Sequence, residues 1–216
     1  GPYPAASQLC RWLAESLETT HLLTRALDDR NAVVSMLDIV NPPVWELGHV
    51  AWFHEFWTRR RGDFNNPSAL PEADRWYDSS RVAHDSRWFL DLPQIDATRS
   101  YLDKVIALSV EELQAAQLSD EQAYFGQLAI FHQDMHNEAF SYTWQTLGLP
   151  MPAPAAALAV KECVDIDVPA SRMSLGAVQG SGFAFDNEKW AHEIDLPAFA
   201  IASRVVSNSE FAAFVD

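Results

Sequence analysis

The stretch FGQLAIFHQDMHNEAFSYT, residues 125–143, combines a helical sequence pattern with two metal-binding side chains. It places His132 and His136 four residues apart in a segment whose pattern predicts an α-helix. An α-helix turns by roughly 100° per residue, so positions i and i+4 lie about 40° apart and one turn along the axis. Both imidazoles therefore point the same way and are spaced to bind one metal ion. Two histidines alone do not complete a metal site, so a third ligand is expected elsewhere in the chain.

The candidate third ligand is His49, which lies in the apolar segment VWELGHVAWFHEFW, residues 44–57. It follows Gly48, where the missing side chain lets another group approach the helix. Periodicity alone fits a metal ligand and a hydrogen-bonded core histidine equally well. His54 lies five residues further on, about 140° around the axis, so it is not expected to share the metal. Its neighbour Glu55 suggests that His54 lies nearer the polar side of the helix.

Four long helices are predicted, joined by both short and long connections: residues 7–27, 42–61, 95–116 and 119–147. Asn41 is expected to cap the second helix, with proline tolerated in its first turn. Ser119 and Gln122 have the spacing of a capping box at the start of the fourth helix, and Gly148 is placed to end it. This pattern favours a four-helix bundle, an architecture that holds metal sites between facing helices.

Residues 62–92 are predicted to form a long irregular connection. Such connections are uncommon in compact domains and tend to be functional or to wrap a core. Arg81 and Arg87 are candidates for binding a substrate carboxylate through bidentate hydrogen bonds. The alternative is that these two arginines form ion pairs with Asp78 and Asp85.

Glu138 extends the histidine pair to the pattern HxxxHxE. It lies two residues after His136, roughly 200° around the helix, and so outside the same coordination sphere. It is predicted to hydrogen-bond a ring N–H or an arginine from a neighbouring helix. The alternative is a solvated carboxylate on the helix surface. Three imidazoles leave positions open on a metal, and spacing alone does not choose between zinc hydrolysis and ferrous oxygen chemistry.

Three regions are distinguished along the chain, which is mainly α. Residues 1–150 are predicted to form the bundle with the metal site, and residues 151–170 a Pro/Ala-rich linker. Residues 171–216 show alternating short strands and one short helix capped by Asn208. These are too few elements for an independent domain, so this region is predicted to be the first part of a second domain whose remainder is missing.

The composition excludes several classes of partner. A net charge of −15 argues against binding nucleic acid or an anionic membrane, because both require clustered Lys and Arg. No apolar run approaches the roughly 20 residues that span a bilayer, and no signal peptide is recognised. Cys10 and Cys163 match no metal or redox spacing and suit a reducing compartment. A cytoplasmic protein without nucleic-acid or membrane partners is therefore expected.

Three motifs resemble the N-terminal DinB-like domain of the ergothioneine-type sulfoxide synthases: NPPVWELGHVAWFHEFW at residues 41–57, DSSRVAHDSRW at 78–88 and FHQDMHNEAF at 131–140. Residues 174–215 resemble the opening of the formylglycine-generating-enzyme-like domain that follows in that family, a mixed α/β fold of the C-type-lectin-like kind. The resemblance spans nearly the whole chain in the family's order. It implies a DinB-like four-helix bundle followed by a truncated second domain.

The resemblance also implies a mononuclear non-haem Fe(II) held by His49, His132 and His136. The implied reaction is O₂-dependent attachment of a thiol sulfur to the imidazole C2 of Nα-trimethylhistidine (hercynine), with sulfoxidation. In the selenoneine synthase branch of the family, the donor is a selenosugar. The family's catalytic tyrosine and much of its substrate pocket correspond to positions beyond Asp216.

Two other functions remain open from the residues. One is a zinc-dependent thiol transferase or hydrolase built on the same bundle. The other is a non-catalytic helical interaction module in which the histidines belong to the core. The residue pattern supports the iron enzyme and the zinc enzyme almost equally, and the family resemblance favours iron.

Overall fold

The computed structural model describes residues 2–30, 33–115, 117–150, 159 and 161–215. The chain divides into two compact units, Gly1–Pro154 and Ala155–Asp216. The described part of the first unit is helical, and that of the second contains two small antiparallel sheets. The prediction of a mainly α chain is therefore confirmed in outline. Residues 151–158 and 160 of the predicted linker lie outside the described residues.

The described residues of the first unit form four main α-helices and one short α-helix. In chain order these are α1 (Ala6–Thr24), α2 (Pro43–His54), α3 (Ala73–Tyr77), α4 (Ile95–Ala115) and α5 (Asp120–Thr146). Helix α1 packs against α4 and α5, and α2 packs against the same two helices. This places α2 beside α5, the two helices that carry the three candidate metal ligands.

Helix α1 buries a stripe of leucines and hydroxyl residues, as its sequence pattern predicts. Leu9, Leu13 and Leu23 enter the core, and Thr20 and Thr24 are fully buried beside them. Each threonine hydroxyl donates to the carbonyl of the residue four positions earlier, which satisfies a polar group inside the apolar stripe. The hydroxyl residues of the stripe therefore remain compatible with a packed helix.

Helix α2 starts at Pro43 without a side-chain cap, so the prediction that Asn41 caps it was wrong. The Asn41 side-chain oxygen instead accepts a hydrogen bond of 2.6 Å from Arg87 Nη1. Beyond His54 the helix continues as a π-helix, Glu55–Arg59, which the sequence did not indicate. The α2 segment is buried nearly all round, as its apolar composition predicts.

Helix α5 carries the capping box that the sequence predicts. The Gln122 N–H donates to Ser119 Oγ at 3.2 Å, and the Ser119 N–H donates to Gln122 Oε1 at 3.0 Å. The helix ends at Thr146, and Gly148 has a φ of 66°. A positive φ is readily adopted by glycine, so Gly148 ends the helix as expected. The predicted last residue of the preceding helix, Ala116, lies outside the described residues.

Residues 62–92 contain more regular structure than the sequence indicated. They include α3 and a 3-10 helix, His84–Phe89, so the prediction of a wholly irregular connection was wrong. The buried carboxylate of Glu55 holds part of this segment against the bundle. It accepts hydrogen bonds from the Ala69 N–H and, on its other oxygen, from the Tyr101 hydroxyl, each 2.7 Å long. The connection therefore wraps the core, one of the two roles that its length suggested.

The described residues of the second unit include two strand pairs and a helix, α6 (Asn208–Val215). Strand β1 (Asp165–Val168) pairs with β4 (Phe199–Ala202), and β2 (Ser171–Leu175) pairs with β3 (His192–Leu196), all antiparallel. Ser207, not Asn208, caps α6: its hydroxyl accepts from the Glu210 N–H at 3.3 Å.

None of the helices among the described residues combines the length and apolarity that crossing a bilayer requires.

Candidate metal centre

Three imidazoles meet at the contact between α2 and α5. His49 comes from α2, and His132 and His136 come from successive turns of α5. One nitrogen from each ring lies within 4.8 Å of the others. The Nε2 atoms of His132 and His136 are 3.2 Å apart. The structure therefore brings together the three histidines that the sequence selected, in the convergence expected from i,i+4 spacing and a facing helix.

His49 is held in one orientation by a backbone carbonyl. Its Nδ1–H donates to the backbone carbonyl oxygen of Tyr77 at 2.7 Å, which leaves the Nε2 lone pair facing the other two rings. Its ring stacks on Trp45, with centroids 4.9 Å apart and planes 8° from parallel. Burial, followed by the charge of His136, lowers the pKa of His49 to about 3. The ring is therefore neutral, which is the state that binds metals.

His136 is oriented by a carboxylate that sequence reasoning missed. Its Nδ1 lies 2.7 Å from Oε1 of Glu46, so a proton on Nδ1 is donated to that oxygen. Glu46 is fully buried on α2, three residues before His49. Carboxylates commonly accept the second N–H of a metal-binding histidine. The signal in the sequence was an acidic residue three positions before His49 in a mostly apolar helical segment.

His132 is held by ring packing. It stacks on Phe53 with centroids 3.6 Å apart and planes within 7°. Burial is the main cause that lowers its pKa well below the ordinary value, with His136 and His49 contributing. Its Nδ1 is buried and makes no hydrogen bond to the described residues. No hydrogen bond to Nδ1 from the described residues fixes its tautomer, in contrast to the other two rings.

The donor set fits a divalent transition metal. Three nitrogen ligands are available, and two of them have their tautomers set by hydrogen bonds on the far side of the ring. Neutral imidazoles suit both zinc and ferrous iron. The trio is not sealed in the core, because the His136 side chain is 17% exposed.

His54 lies apart from the trio and serves a buried polar network. It is 1% exposed, and its Nε2 lies 2.8 Å from Gln133 Oε1. The expectation that His54 faces the polar side was wrong, because the whole segment is enclosed by the other helices. Burial lowers its pKa to about 4. The hydrogen bond from its ring instead links α2 to α5.

The sequence is similar to three curated proteins named hercynine oxygenase. It is 30% identical over 188 residues to that of Mycolicibacterium smegmatis, which covers 82% of this chain and 43% of the relative. It is 29% identical to that of Mycobacterium tuberculosis, over 100% of this chain and 51% of the relative. The chain is related to the ergothioneine-type sulfoxide synthases. It spans about half the length of the curated relatives it matches, and no family model matches it.

The two candidate substrate-binding arginines of this chain lie in different surroundings. Arg81 is exposed and pairs with Asp78, with Nε 3.2 Å from Oδ2, so the ion-pair alternative holds for this residue. Arg87 packs over Trp45, with its guanidinium carbon 3.9 Å from the ring centroid. Asp85 contacts His84 rather than Arg87, so the second predicted ion pair is not formed. A carboxylate-binding role remains a prediction for both arginines.

Glu138 does not support the histidines in the way the sequence suggested. It is exposed on α5, consistent with a position roughly 200° around the helix from His136. The interhelical hydrogen bond to a ring N–H is made by Glu46 instead. The alternative of a solvated surface carboxylate therefore describes Glu138, and the prediction of an interhelical role was wrong.

Proposed function

We propose that this chain carries the metal-binding part of a hercynine-modifying non-haem iron oxygenase, with Fe(II) held by His49, His132 and His136. The enzyme would use O₂ to join the sulfur or selenium of a donor to the imidazole C2 of hercynine, in ergothioneine or selenoneine biosynthesis. The observation that carries the proposal is the convergence of three imidazoles in a chain similar to the hercynine oxygenases.

The chain's own residues would perform the tasks that such a centre requires. Bound Fe(II) supplies a place where O₂ and a thiolate or selenolate donor meet hercynine. The carbonyl of Tyr77 and the carboxylate of Glu46 orient two of the ligands. Trp45 and Phe53 pack against ligand rings and exclude water from that side. Aromatic faces at the same site suit the trimethylammonium of hercynine through cation–π attraction.

The proposal extends to the rest of the enzyme. Residues 1–150 would form the DinB-like bundle, residues 151–170 a linker, and residues 171–216 the start of the formylglycine-generating-enzyme-like domain. The catalytic tyrosine and much of the hercynine pocket would come from positions after Asp216. The greater length of the relatives supports this arrangement. The enzyme would act in the cytoplasm on small molecules, without nucleic-acid or membrane partners.

Anaerobic titration with Fe(II) tests the metal centre directly. We expect one iron per chain, and loss of that binding in His132→Ala and His49→Ala. His54→Gln is the matched control, since it replaces a buried histidine on the same helix pair that lies apart from the trio. Absence of stoichiometric binding, or unaltered affinity in His132→Ala, would reject the proposal.

The reaction is tested by mass spectrometry on the full-length enzyme with hercynine, Fe(II), O₂ and each thiol or selenium donor in turn. A product carrying sulfur or selenium at imidazole C2 is expected only when O₂ and Fe(II) are both present. Full activity with Zn²⁺ under anaerobic conditions would indicate a zinc thiol transferase or hydrolase instead. Native protein that contains no metal, and whose stability does not change with a chelator, would indicate a non-catalytic module.

A further inference from the structure

We propose that Glu46 is a positioning residue that orients His136 and places a negative charge beside the metal. The inference rests on the proposed metal centre. Glu46 lies on α2 and His136 on α5, and the contact between Oε1 and Nδ1 is 2.7 Å long. A proton on Nδ1 directed at this oxygen leaves Nε2 as the lone pair that faces the other histidines.

The second oxygen of Glu46 distinguishes this carboxylate from an ordinary helix–helix contact. Oε2 is buried and has no hydrogen-bond partner among the described residues, and the residue is 0% exposed. A buried carboxylate with one oxygen unpaired is costly unless a nearby positive charge compensates it. Arg87 interacts electrostatically with Glu46, but its guanidinium is held over Trp45 and bonds to Asn41. A divalent cation held by the trio would add a further positive charge near this carboxylate.

The two histidines with fixed tautomers differ in the group that holds them. His49 donates to the neutral carbonyl of Tyr77, whereas His136 contacts the carboxylate of Glu46. An anionic acceptor makes the imidazole a stronger electron donor than a neutral acceptor does. Through His136, Glu46 would stabilise the more positively charged state of a redox metal. Its effect should therefore be visible in the reduction potential as well as in the affinity.

The experiment separates the hydrogen bond from the charge. Glu46→Ala removes both, and Glu46→Gln keeps an oxygen that accepts the Nδ1–H but removes the charge. Glu138→Gln is the matched control, because it neutralises an exposed carboxylate only two residues from His136. Each variant is titrated anaerobically with Fe(II), its Fe(III)/Fe(II) midpoint potential is measured, and its metal-free form is melted thermally.

We expect Glu46→Ala to lower Fe(II) affinity by about 10- to 100-fold. Glu46→Gln should bind Fe(II) more tightly than Glu46→Ala and should shift the midpoint potential to more positive values. Glu138→Gln should match the wild type in both measurements.

A purely structural contact between α2 and α5 predicts a different result. Both Glu46 variants would then melt at lower temperature yet keep the wild-type affinity and potential, and the inference would be wrong. If Glu46→Ala does not fold, Glu46→Gln decides, because a wild-type potential in that variant rejects the role of the charge. Failure of the wild type itself to bind Fe(II) would instead reject the proposed function, on which this inference depends.

Discussion

The phenol ring of Tyr77 lies where a side chain at position 48 would begin. A Cβ placed on Gly48 would be 2.2 Å from the Cε1 and Cζ atoms of Tyr77 and 2.7 Å from its hydroxyl oxygen. The carbonyl of the same tyrosine accepts the Nδ1–H of His49. The absence of a side chain at Gly48 therefore lets α3 approach α2 closely enough to orient a candidate metal ligand.

Gly48→Ala is expected to destabilise the metal-free protein and to weaken metal binding. The added methyl group must displace the Tyr77 ring, and overpacking of this kind typically costs about 1–3 kcal/mol. The shift of Tyr77 would also disturb its bond to His49. Urea unfolding measures the first effect, and anaerobic Fe(II) titration measures the second.

Gly126→Ala provides the control for the added methyl group. A Cβ at this position of α5 would meet Leu9 Cδ1 at 3.6 Å, an ordinary contact. Alanine is also favoured over glycine inside a helix by about 1 kcal/mol. We expect this variant to be as stable as the wild type or more so. Equal stability of the two alanine variants would show that Tyr77 moves away without cost.

The sequence predicted the parts of the site that depend on local periodicity. The i,i+4 spacing placed His132 and His136 on one face of α5, and a glycine before His49 indicated a close approach from another segment. The capping box at Ser119 was also predicted correctly, because both of its residues lie within one helical turn. Such features are decided by neighbours along the chain.

The parts that the sequence did not predict depend on neighbours in space. Asn41 resembles a helix cap, but its side-chain oxygen accepts a hydrogen bond from Arg87, which lies in a distant segment. Glu46 and Glu138 are both carboxylates near histidines, and the fold alone decides that the first is buried against His136 and the second is exposed. The residue pattern likewise did not indicate the π-helix after His54.

Thr20→Val is expected to lower stability through a buried hydrogen-bond network. The Thr20 hydroxyl accepts from Gln133 Nε2 and lies 2.8 Å from Asn137 Oδ1, and both partners are buried. Valine keeps the shape but leaves these groups without a partner, which typically costs about 1–3 kcal/mol. Urea unfolding of the metal-free protein measures the change.

Thr19→Val is the neighbouring control for this substitution. The Thr19 hydroxyl is exposed and bonds only to the Glu15 carbonyl among its described contacts. Its loss should change the unfolding free energy by less than about 0.5 kcal/mol. A matching loss in both variants would mean that the buried network contributes no more than an exposed helix hydroxyl.

The metal-free protein is expected to lose stability as the pH falls below about 6.5. Burial lowers the pKa of His54 to about 4 and that of His49 to about 3, from an ordinary value of 6.5. Between these values the unfolded chain binds more protons than the folded chain, so acid favours unfolding. Each such histidine contributes up to about 1.4 kcal/mol per pH unit. Urea unfolding with a chelator at pH 7, 6, 5 and 4.5 measures this slope.

His54→Gln isolates the contribution of one buried histidine to this slope. The variant lacks one buried titrating group, so its stability should fall less steeply with acid than that of the wild type. For each protein, the slope is measured from its own unfolding free energy at pH 7. Parallel curves for the two proteins from pH 7 to 4.5 would contradict the assignment of the slope to His54.

Arg60→Lys is expected to loosen the contact between α3 and the residue that follows the π-helix. Arg60 is 3% exposed, and its Nη1 and Nη2 donate to the two oxygens of Asp74 at 2.6 and 2.8 Å. Lysine cannot form both bonds in this fixed geometry, and loss of a hydrogen bond to a charged group costs about 2 kcal/mol. Arg75→Lys is the control, because Arg75 is 79% exposed and its pair with Glu72 contributes less than about 1 kcal/mol. Urea unfolding should show a larger loss of stability for Arg60→Lys than for Arg75→Lys. Equal losses would show that the paired hydrogen bonds of the Arg60 guanidinium add nothing beyond its charge.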